Sequence, residues 1–168
     1  FQLALYAPDR QVVVLSDADV PGVQRIPLQY DWPGWWAKLE LCRPDIEGDL
    51  LYFDLDTVVV GPLDDILKVN ELTMLADPYD KPGVLGSGVM YLPQADRERA
   101  WARFIDRSER HMRSCRGGDQ EFFVGTWGLK NIARWQDLVP GQLVSYKADV
   151  RGKRHLPPGA RVCYFHGV

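Results

Sequence analysis

The chain has 168 residues, of which 46% are hydrophobic and 26% are charged, so it is long enough for one domain with a substantial core. Its formal net charge of −3 argues against nucleic-acid binding through a broadly basic surface. No apolar run approaches the roughly 18 residues of a membrane-spanning helix, so no integral membrane segment is expected. The three cysteines are odd in number and widely spaced. They indicate neither a zinc site nor a disulfide framework, and they favour a reducing, cytoplasmic compartment.

Strands and helices alternate in the first half of the chain. The Val and Leu residues from Gln11 to Ser16 predict a buried strand, and Pro21 to Pro33 predict a connection punctuated by prolines. Apolar residues with helical spacing predict a helix over Gly34 to Arg43, which Pro44 ends. The other predicted elements are the end of a helix at Phe1 to Tyr6, a strand at Asp49 to Phe53, an extended segment at Thr57 to Val60, a short helix capped by Asp64-Asp65 and ending near Val69, and a strand at Leu72 to Ala76.

The second half continues the alternation. The pattern predicts a strand at Ser87 to Leu92, an amphipathic helix at Asp96 to Met112, a helix at Glu121 to Gly125 and a final strand at Arg161 to His166. We therefore predict an α/β fold with a mixed, mainly parallel sheet flanked by helices, in a single domain over residues 1–168. Because the sequence opens within a predicted helix and closes directly after a strand, we expect both ends to be clipped.

The acid pair Asp54-Leu55-Asp56 follows the apolar run Leu50 to Phe53. Two carboxylates one residue apart at the tip of a strand can reach one divalent cation, and ligands of open α/β sheets bind beyond the carboxyl ends of the strands. This favours a metal-phosphate site. The simpler interpretation is that the pair only starts a turn, helped by Gly61-Pro62.

The same segment is compatible with two kinds of enzyme. In one, Asp56 binds a cation that bridges two phosphates. In the other, Asp54 is a nucleophile, because Asp-x-Asp-x-Thr after an apolar strand also resembles the opening motif of haloacid-dehalogenase-type phosphatases. Such phosphatases normally carry the motif near the start and a late acidic pair. Here 53 residues precede Asp54, and the late segment Gly118 to Glu121 lacks a second spaced aspartate.

Further landmarks follow in a fixed order. They are Lys38 sixteen residues before Asp54, Gly61-Pro62-Leu63-Asp64-Asp65 after the acid pair, Asp77 at 23 residues beyond Asp54, Ser87-Gly88-Val89, Gly118-Asp119-Gln120 and Phe165-His166-Gly167. Taken together, they resemble the metal-dependent GT-A glycosyltransferases, most closely the family 8 and glycogenin-like group. The resemblance covers roughly Val12 to Gly167.

The resemblance implies a role for each matching residue. Asp56 would bind Mn²⁺ or Mg²⁺, Asp54 would bind the metal or the ribose, and His166 would supply a nitrogen ligand. Lys38 would approach the diphosphate of the donor. The remaining implied donor-site residues are Asp77, Ser87 and Gly88, together with Asp119 on the sugar hydroxyls and Gln120 near the anomeric carbon.

The implied activity is transfer of a sugar from a nucleoside-diphosphate donor, for which a UDP-sugar is expected, to an unknown glycan, lipid or protein acceptor. Retention of anomeric configuration is implied by the resemblance only. The sequence departs from the family at Gly86, where an Asn is usual, and it lacks the Lys-Pro-Trp segment after His-Gly and the first strand and helix that carry base recognition. A magnesium-dependent phosphatase and an inactive nucleotide- or sugar-binding module stay open as alternatives.

Three of these residues also have simpler interpretations. Lys38 could be a surface lysine that lays its stem along apolar neighbours. Asp119 could only cap the helix that starts beside it. His166, directly after an apolar strand, could be an ordinary strand-end residue.

Overall fold

The computed structural model describes residues 2–79 and 81–167, so Phe1 lies outside the described residues. The elements in chain order are α1 (Gln2–Tyr6), β1 (Val13–Ser16), β2 (Gln24–Pro27), a 3₁₀ helix (Gly34–Cys42), β3 (Leu50–Phe53), β4 (Val58–Val59), a 3₁₀ turn (Ile66–Lys68), β5 (Thr73–Ala76), β6 (Leu85–Leu92), α2 (Gln94–Ile105), α3 (Ser108–Ser114), α4 (Gly118–Trp127), a 3₁₀ turn (Leu129–Asn131), β7 (Ala133–Arg134), α5 (Trp135–Leu138), β8 (Leu143–Ser145), a π-helical turn (Tyr146–Val150) and β9 (Val162–Tyr164). The predicted α/β class, with mixed sheets flanked by helices, is confirmed.

The strands form three sheets. The largest has the order β3-β6-β5-β7, and the smaller ones are β1-β2 and β4-β9-β8. The apolar run Leu50 to Phe53 suits a strand inside a parallel sheet, which is what the sequence predicts there, and here the structure differs. Strand β3 pairs antiparallel with β6, and its side chains are half-buried. A four-residue apolar run does not itself distinguish a parallel from an antiparallel partner, which explains the error.

Several predicted boundaries shift. The single helix predicted over Asp96 to Met112 is two helices, α2 and α3, because the backbone of Arg107 leaves the helical region at φ −141° and ψ 33°. The proline-rich connection contains strand β2, which pairs parallel with β1. The sequence predicts that the Asp64-Asp65 pair caps a short helix. Asp65 does occupy the N-cap position of the 3₁₀ turn at Ile66–Lys68. Its carboxylate makes no capping hydrogen bond and pairs with Lys68 instead.

Two buried ion and hydrogen-bond clusters fix the 3₁₀ helix at Gly34–Cys42 against the core. Glu40 accepts hydrogen bonds from the backbone N–H groups of Gln29 and Tyr30 and pairs with the buried Arg43 at 2.8 Å. The buried Arg97 of α2 donates to the carbonyl of Leu41 at 2.8 Å. Because this helix carries Lys38, its anchoring fixes where the lysine can reach.

The main hydrophobic core lies between this 3₁₀ helix, the β3-β6-β5 strands and helices α2 and α4. Fully buried members include Leu39, Phe104 and Phe123. A second cluster surrounds Trp135, whose indole N–H donates to the carbonyl of Val89 at 3.0 Å. Both clusters include residues of β6, the strand that also carries Ser87 and Gly88. In residues 2–79 and 81–167, every helix is too short or too polar to cross a bilayer.

Candidate active site

A cleft of about 730 Å³ opens beside the ends of β3, β5 and β9 and the start of α4. Its walls include every residue that the sequence predicted for the site: Lys38, Asp54, Asp56, Asp77, Ser87, Gly88, Asp119, Gln120 and His166. Folding thus brings together residues that span 129 positions of the sequence, from Lys38 to His166. The predicted residues fall into two groups that differ in burial and in bonding.

The first group is centred on Lys38. Its ammonium lies 2.9 Å from Asp54 Oδ1 and 3.4 Å from Asp119 Oδ2, and it donates a hydrogen bond to Ser87 Oγ at 3.1 Å. The Lys38 side chain is only 10% exposed. The surface-lysine interpretation is therefore wrong, because the charge sits between two carboxylates inside the wall. We call Lys38, Asp54, Ser87 and Asp119 the paired wall.

Asp119 reaches this wall from the first turn of α4. Helix α4 is preceded by Gly117, and the N–H of that glycine donates to Glu121 Oε2 at 2.6 Å. The Asp119 carboxylate instead accepts a hydrogen bond from Ser87 Oγ at 2.6 Å and is 7% exposed. It makes no capping bond, so the capping interpretation does not hold, and its charge is directed at β6 and Lys38.

Sequence reasoning missed Tyr52, although it stands two residues before Asp54 and so lies on the same face of β3. Its hydroxyl donates to Asp54 Oδ1 at 2.5 Å. Burial, and then the negative charge of Asp54, raise the pKa of Tyr52 above its usual range, so the phenol keeps its proton. The alternation of side chains along a strand is the signal that could have identified it.

Two glycines let the walls approach each other closely. The N–H of Asp54 donates to the carbonyl of Gly88 at 2.8 Å, and a Cβ added to Gly88 would lie 3.2 Å from Asp54 Oδ2. Gly118 has a φ of +72°, and a Cβ there would lie 2.5 Å from Nε1 of Trp35. A side chain at either position would displace a group that lines the cleft.

The second group, Asp56, Asp77 and His166, forms a more open wall. Asp56 is exposed, and its carboxylate makes no hydrogen bond or ion pair within the described residues. Asp77 is half-buried and accepts from the backbone N–H groups of Tyr79 and Lys81 at 2.9 and 3.2 Å, which closes a turn at the end of β5. We call these three residues the open wall. Gln120 lines the cleft half-buried beside the paired wall.

His166 is fixed from behind by Ser145. Nε2 of the imidazole lies 2.7 Å from Ser145 Oγ, and the ring packs edge-on against Tyr79 with 5.8 Å between centroids. Burial, and then the nearby positive charge of Lys147, lower the pKa of His166, so the ring is neutral near pH 7. His166 thus lines the cleft with one ring nitrogen bonded to Ser145.

The donor types in the cleft suit a hard divalent cation, because carboxylate oxygens and an imidazole are suitable ligands. Their arrangement is less suitable. Across residues 2–79 and 81–167, no three His, Cys, Asp or Glu side chains form a group that could hold a metal ion. The Asp54 carboxylate already bonds to Lys38 and Tyr52, and Nε2 of His166 already bonds to Ser145 Oγ. The three implied ligands do not form a metal site in this arrangement.

No protein-family model and no curated protein sequence matches the chain. Solved structures do. The chain is similar to the glycosyltransferase GlyE of Streptococcus pneumoniae TIGR4 in two crystal structures, one of them the apo form, each with a TM-score of 0.61. The chain shares the fold of the part of GlyE that it matches. The identities are 18% and 16%, and the likeness covers 87% of this chain and 41% of that one, so the chain spans less than half the length of GlyE.

Proposed function

We propose that the chain carries the donor-binding and catalytic cleft of a glycosyltransferase that uses a nucleoside-diphosphate sugar. The observation that supports this most is that all nine predicted site residues line one cleft of about 730 Å³. Four of the elements that carry or precede them are β3, β5, β6 and α4, which extend from Leu50 to Trp127. The glycosyltransferase fold favours this interpretation over a haloacid-dehalogenase-like phosphatase.

The reaction exchanges one C–O bond for another. The bond between the anomeric carbon and the diphosphate breaks, a bond from that carbon to an acceptor hydroxyl forms, and the hydroxyl proton leaves with the nucleoside diphosphate. Negative charge grows on the diphosphate as its bond breaks. A cationic group fixed beside that charge before the reaction starts stabilises the transition state without reorganisation. Lys38, fixed by the paired wall, is the residue we assign to this task.

The other residues divide the substrate between them. Asp119 would accept hydrogen bonds from donor-sugar hydroxyls, with Gln120 beside the anomeric carbon. Asp77 would hold a further hydroxyl, and Ser87 would contribute to the donor site beside Lys38. The lack of a side chain at Gly88 would leave room for the donor beside Asp54. A UDP-sugar is the proposed donor, and the acceptor is a glycan, lipid or protein. Retention of configuration follows from the family 8 resemblance, and an NMR assignment of the product anomer tests it.

A divalent cation belongs to the proposal as the resemblance implies it, with Asp56, Asp54 and His166 as its ligands. When bound, Mn²⁺ or Mg²⁺ would neutralise part of the diphosphate charge. Because Asp54 and His166 are engaged with other side chains, metal binding would require those contacts to be released. Titration of the chain with Mn²⁺ alone, followed by calorimetry, measures whether this happens before any nucleotide is present.

The decisive experiment is calorimetric binding of UDP, GDP and CDP, each with and without Mn²⁺, followed by an assay of donor turnover. We expect one nucleotide to bind, with UDP the strongest candidate, and Asp56→Ala to weaken its Mn²⁺-dependent binding. Asp64→Ala is the matched control, because Asp64 is exposed and lies outside the cleft. Binding without turnover would support an inactive binding module. Absence of binding by all three nucleotides would contradict the proposal.

A further inference from the structure

His166 and Ser145 form a contact whose hydrogens can be assigned from the surroundings. Ser145 ends β8 and is completely buried. Its Oγ accepts a hydrogen bond from the N–H of Ala148 at 3.1 Å and lies 2.7 Å from Nε2 of His166. The N–H of Ser145 itself donates to Asp149 Oδ2 at 2.8 Å. Both the backbone N–H and the side-chain oxygen of Ser145 are therefore hydrogen-bonded. Nε2 of His166 is the acceptor that remains for the hydroxyl proton.

Two arrangements of the protons are conceivable at this contact. If Nε2 of His166 carried the proton, it would donate to Ser145 Oγ, and the buried hydroxyl proton would need a different acceptor. Within residues 2–79 and 81–167, no other acceptor lies within hydrogen-bond distance of that hydroxyl. A buried O–H without an acceptor is costly. If the hydroxyl donates to Nε2, every polar atom at the contact is satisfied.

We infer that Ser145 holds His166 as the tautomer protonated on Nδ1, so that the histidine serves the cleft as a hydrogen-bond donor to an anionic ligand oxygen. Nε2 then accepts from Ser145, and Nδ1 keeps its proton in the neutral ring. Within the described residues Nδ1 has no hydrogen-bond partner of its own. This differs from the metal-ligand role that the resemblance implies, because a protonated nitrogen has no lone pair for a cation.

The inference rests on the proposed function for the identity of the ligand. A diphosphate presents several oxygens that accept hydrogen bonds, and an N–H directed at one of them stabilises it as a backbone N–H would. Ser145 touches no ligand in this scheme. It is a positioning residue that acts through His166, as the partners of functional histidines often do.

The first test reads the tautomer directly in the full chain without nucleotide or metal. ¹⁵N NMR of histidine-labelled protein at about pH 8, where imidazoles are neutral, separates protonated from unprotonated ring nitrogens. The His166 signals are assigned by their loss in His166→Asn. We expect a protonated Nδ1 and an unprotonated Nε2 in the wild type, and a shift towards protonated Nε2 in Ser145→Ala. Ser145→Thr, which keeps a hydroxyl, should restore the wild-type form. A proton on Nε2 in the wild type would overturn the inference.

The second test asks which ring position meets the ligand, with UDP as the probe and EDTA present to remove metal. An Asn amide lies near the position of Nδ1, whereas a Gln amide reaches towards Nε2. We expect UDP to bind His166→Asn about tenfold more tightly than His166→Gln, the equivalent of one charge-assisted hydrogen bond. Equal affinities, or a preference for Gln, would contradict the donor role. If the wild-type chain does not bind UDP without metal, the donor role of His166 fails, while the NMR result still decides the tautomer and the calorimetry of all three nucleotides with Mn²⁺ decides the proposed function.

Discussion

The paired wall and the open wall face the same cleft but differ in how their charges are satisfied. On the paired wall, the side chains of Lys38 and Asp119 are 10% and 7% exposed, and Lys38 Nζ lies 3.4 Å from Asp119 Oδ2. On the open wall, Asp56 is exposed and makes no bond within the described residues, and Nδ1 of His166 has no hydrogen-bond partner there. The first wall is therefore built as part of the fold, whereas the second keeps binding capacity for a ligand.

This contrast assigns different costs to similar substitutions. Removing one member of a buried charge network leaves its partners desolvated and unpaired, which destabilises the folded chain. Removing an exposed carboxylate costs little stability, so its effect should show in ligand binding alone. The predictions below measure the free energy of unfolding on both walls, from the largest expected change to the smallest.

Lys38→Met should have the largest effect, because it keeps the apolar stem and leaves Asp54 and Asp119 as neighbouring carboxylates without a cation. We expect the free energy of unfolding to fall by about 3 kcal/mol, and UDP binding to be lost. Urea denaturation followed by circular dichroism measures the change. Lys68→Met is the control, since its pair with Asp65 is 74% and 56% exposed and should contribute little to stability. Equal losses in both variants would mean that the paired wall has no special role in stability.

Tyr52→Phe should have an intermediate effect. It removes the hydroxyl that donates to Asp54 Oδ1 at 2.5 Å and keeps the ring in place. We expect a loss of about 1.5 kcal/mol, the usual contribution of a hydrogen bond to a charged group. Tyr91→Phe provides a comparison, because that hydroxyl donates at 2.9 Å to Asp49 in an exposed setting. A loss at Tyr52 no larger than the loss at Tyr91 would show that the short bond adds nothing to the wall.

Much of this site was predictable from the sequence, and the failures have physical causes. The nine residues that the resemblance implied all line the cleft, because most of them follow strand ends or start a helix, and ligands of α/β sheets bind at such positions. The bonding between them was not predictable. Lys38 was placed beside a diphosphate by its offset from Asp54, but its two carboxylate partners depend on how α4 packs on β6. The partner of His166 comes from Ser145, 21 residues earlier, in a strand that the sequence analysis did not predict.

Asp56→Asn should leave stability within about 0.5 kcal/mol of the wild type, because the side chain is exposed and makes no bond in the described part of the chain. Any increase that Mn²⁺ gives to UDP affinity should disappear in this variant. Calorimetry with and without Mn²⁺ measures it, and Asp64→Asn is the exposed control. A loss of stability comparable to that of Lys38→Met would place Asp56 on the paired wall and remove the contrast.

His166→Asn should have the smallest pH-dependent effect on stability, in addition to a pH-independent loss because the buried Ser145 hydroxyl loses its acceptor. Burial and the charge of Lys147 lower the folded-state pKa of His166, so the unfolded chain takes up a proton first as the pH falls. The stability associated with the neutral ring is therefore present above about pH 6.5, and it is lost as the pH falls from there through the folded-state pKa. Burial also lowers the pKa of His111, so His111 causes a similar loss of stability at acidic pH, and this loss remains in the variant.

Urea unfolding at several pH values measures the effect. The free energy of unfolding should fall less steeply with decreasing pH for His166→Asn than for wild type. His155→Asn, at an exposed site, should follow the wild-type curve. Identical curves for wild type and His166→Asn would show that folding does not change the pKa of His166, and would contradict the prediction.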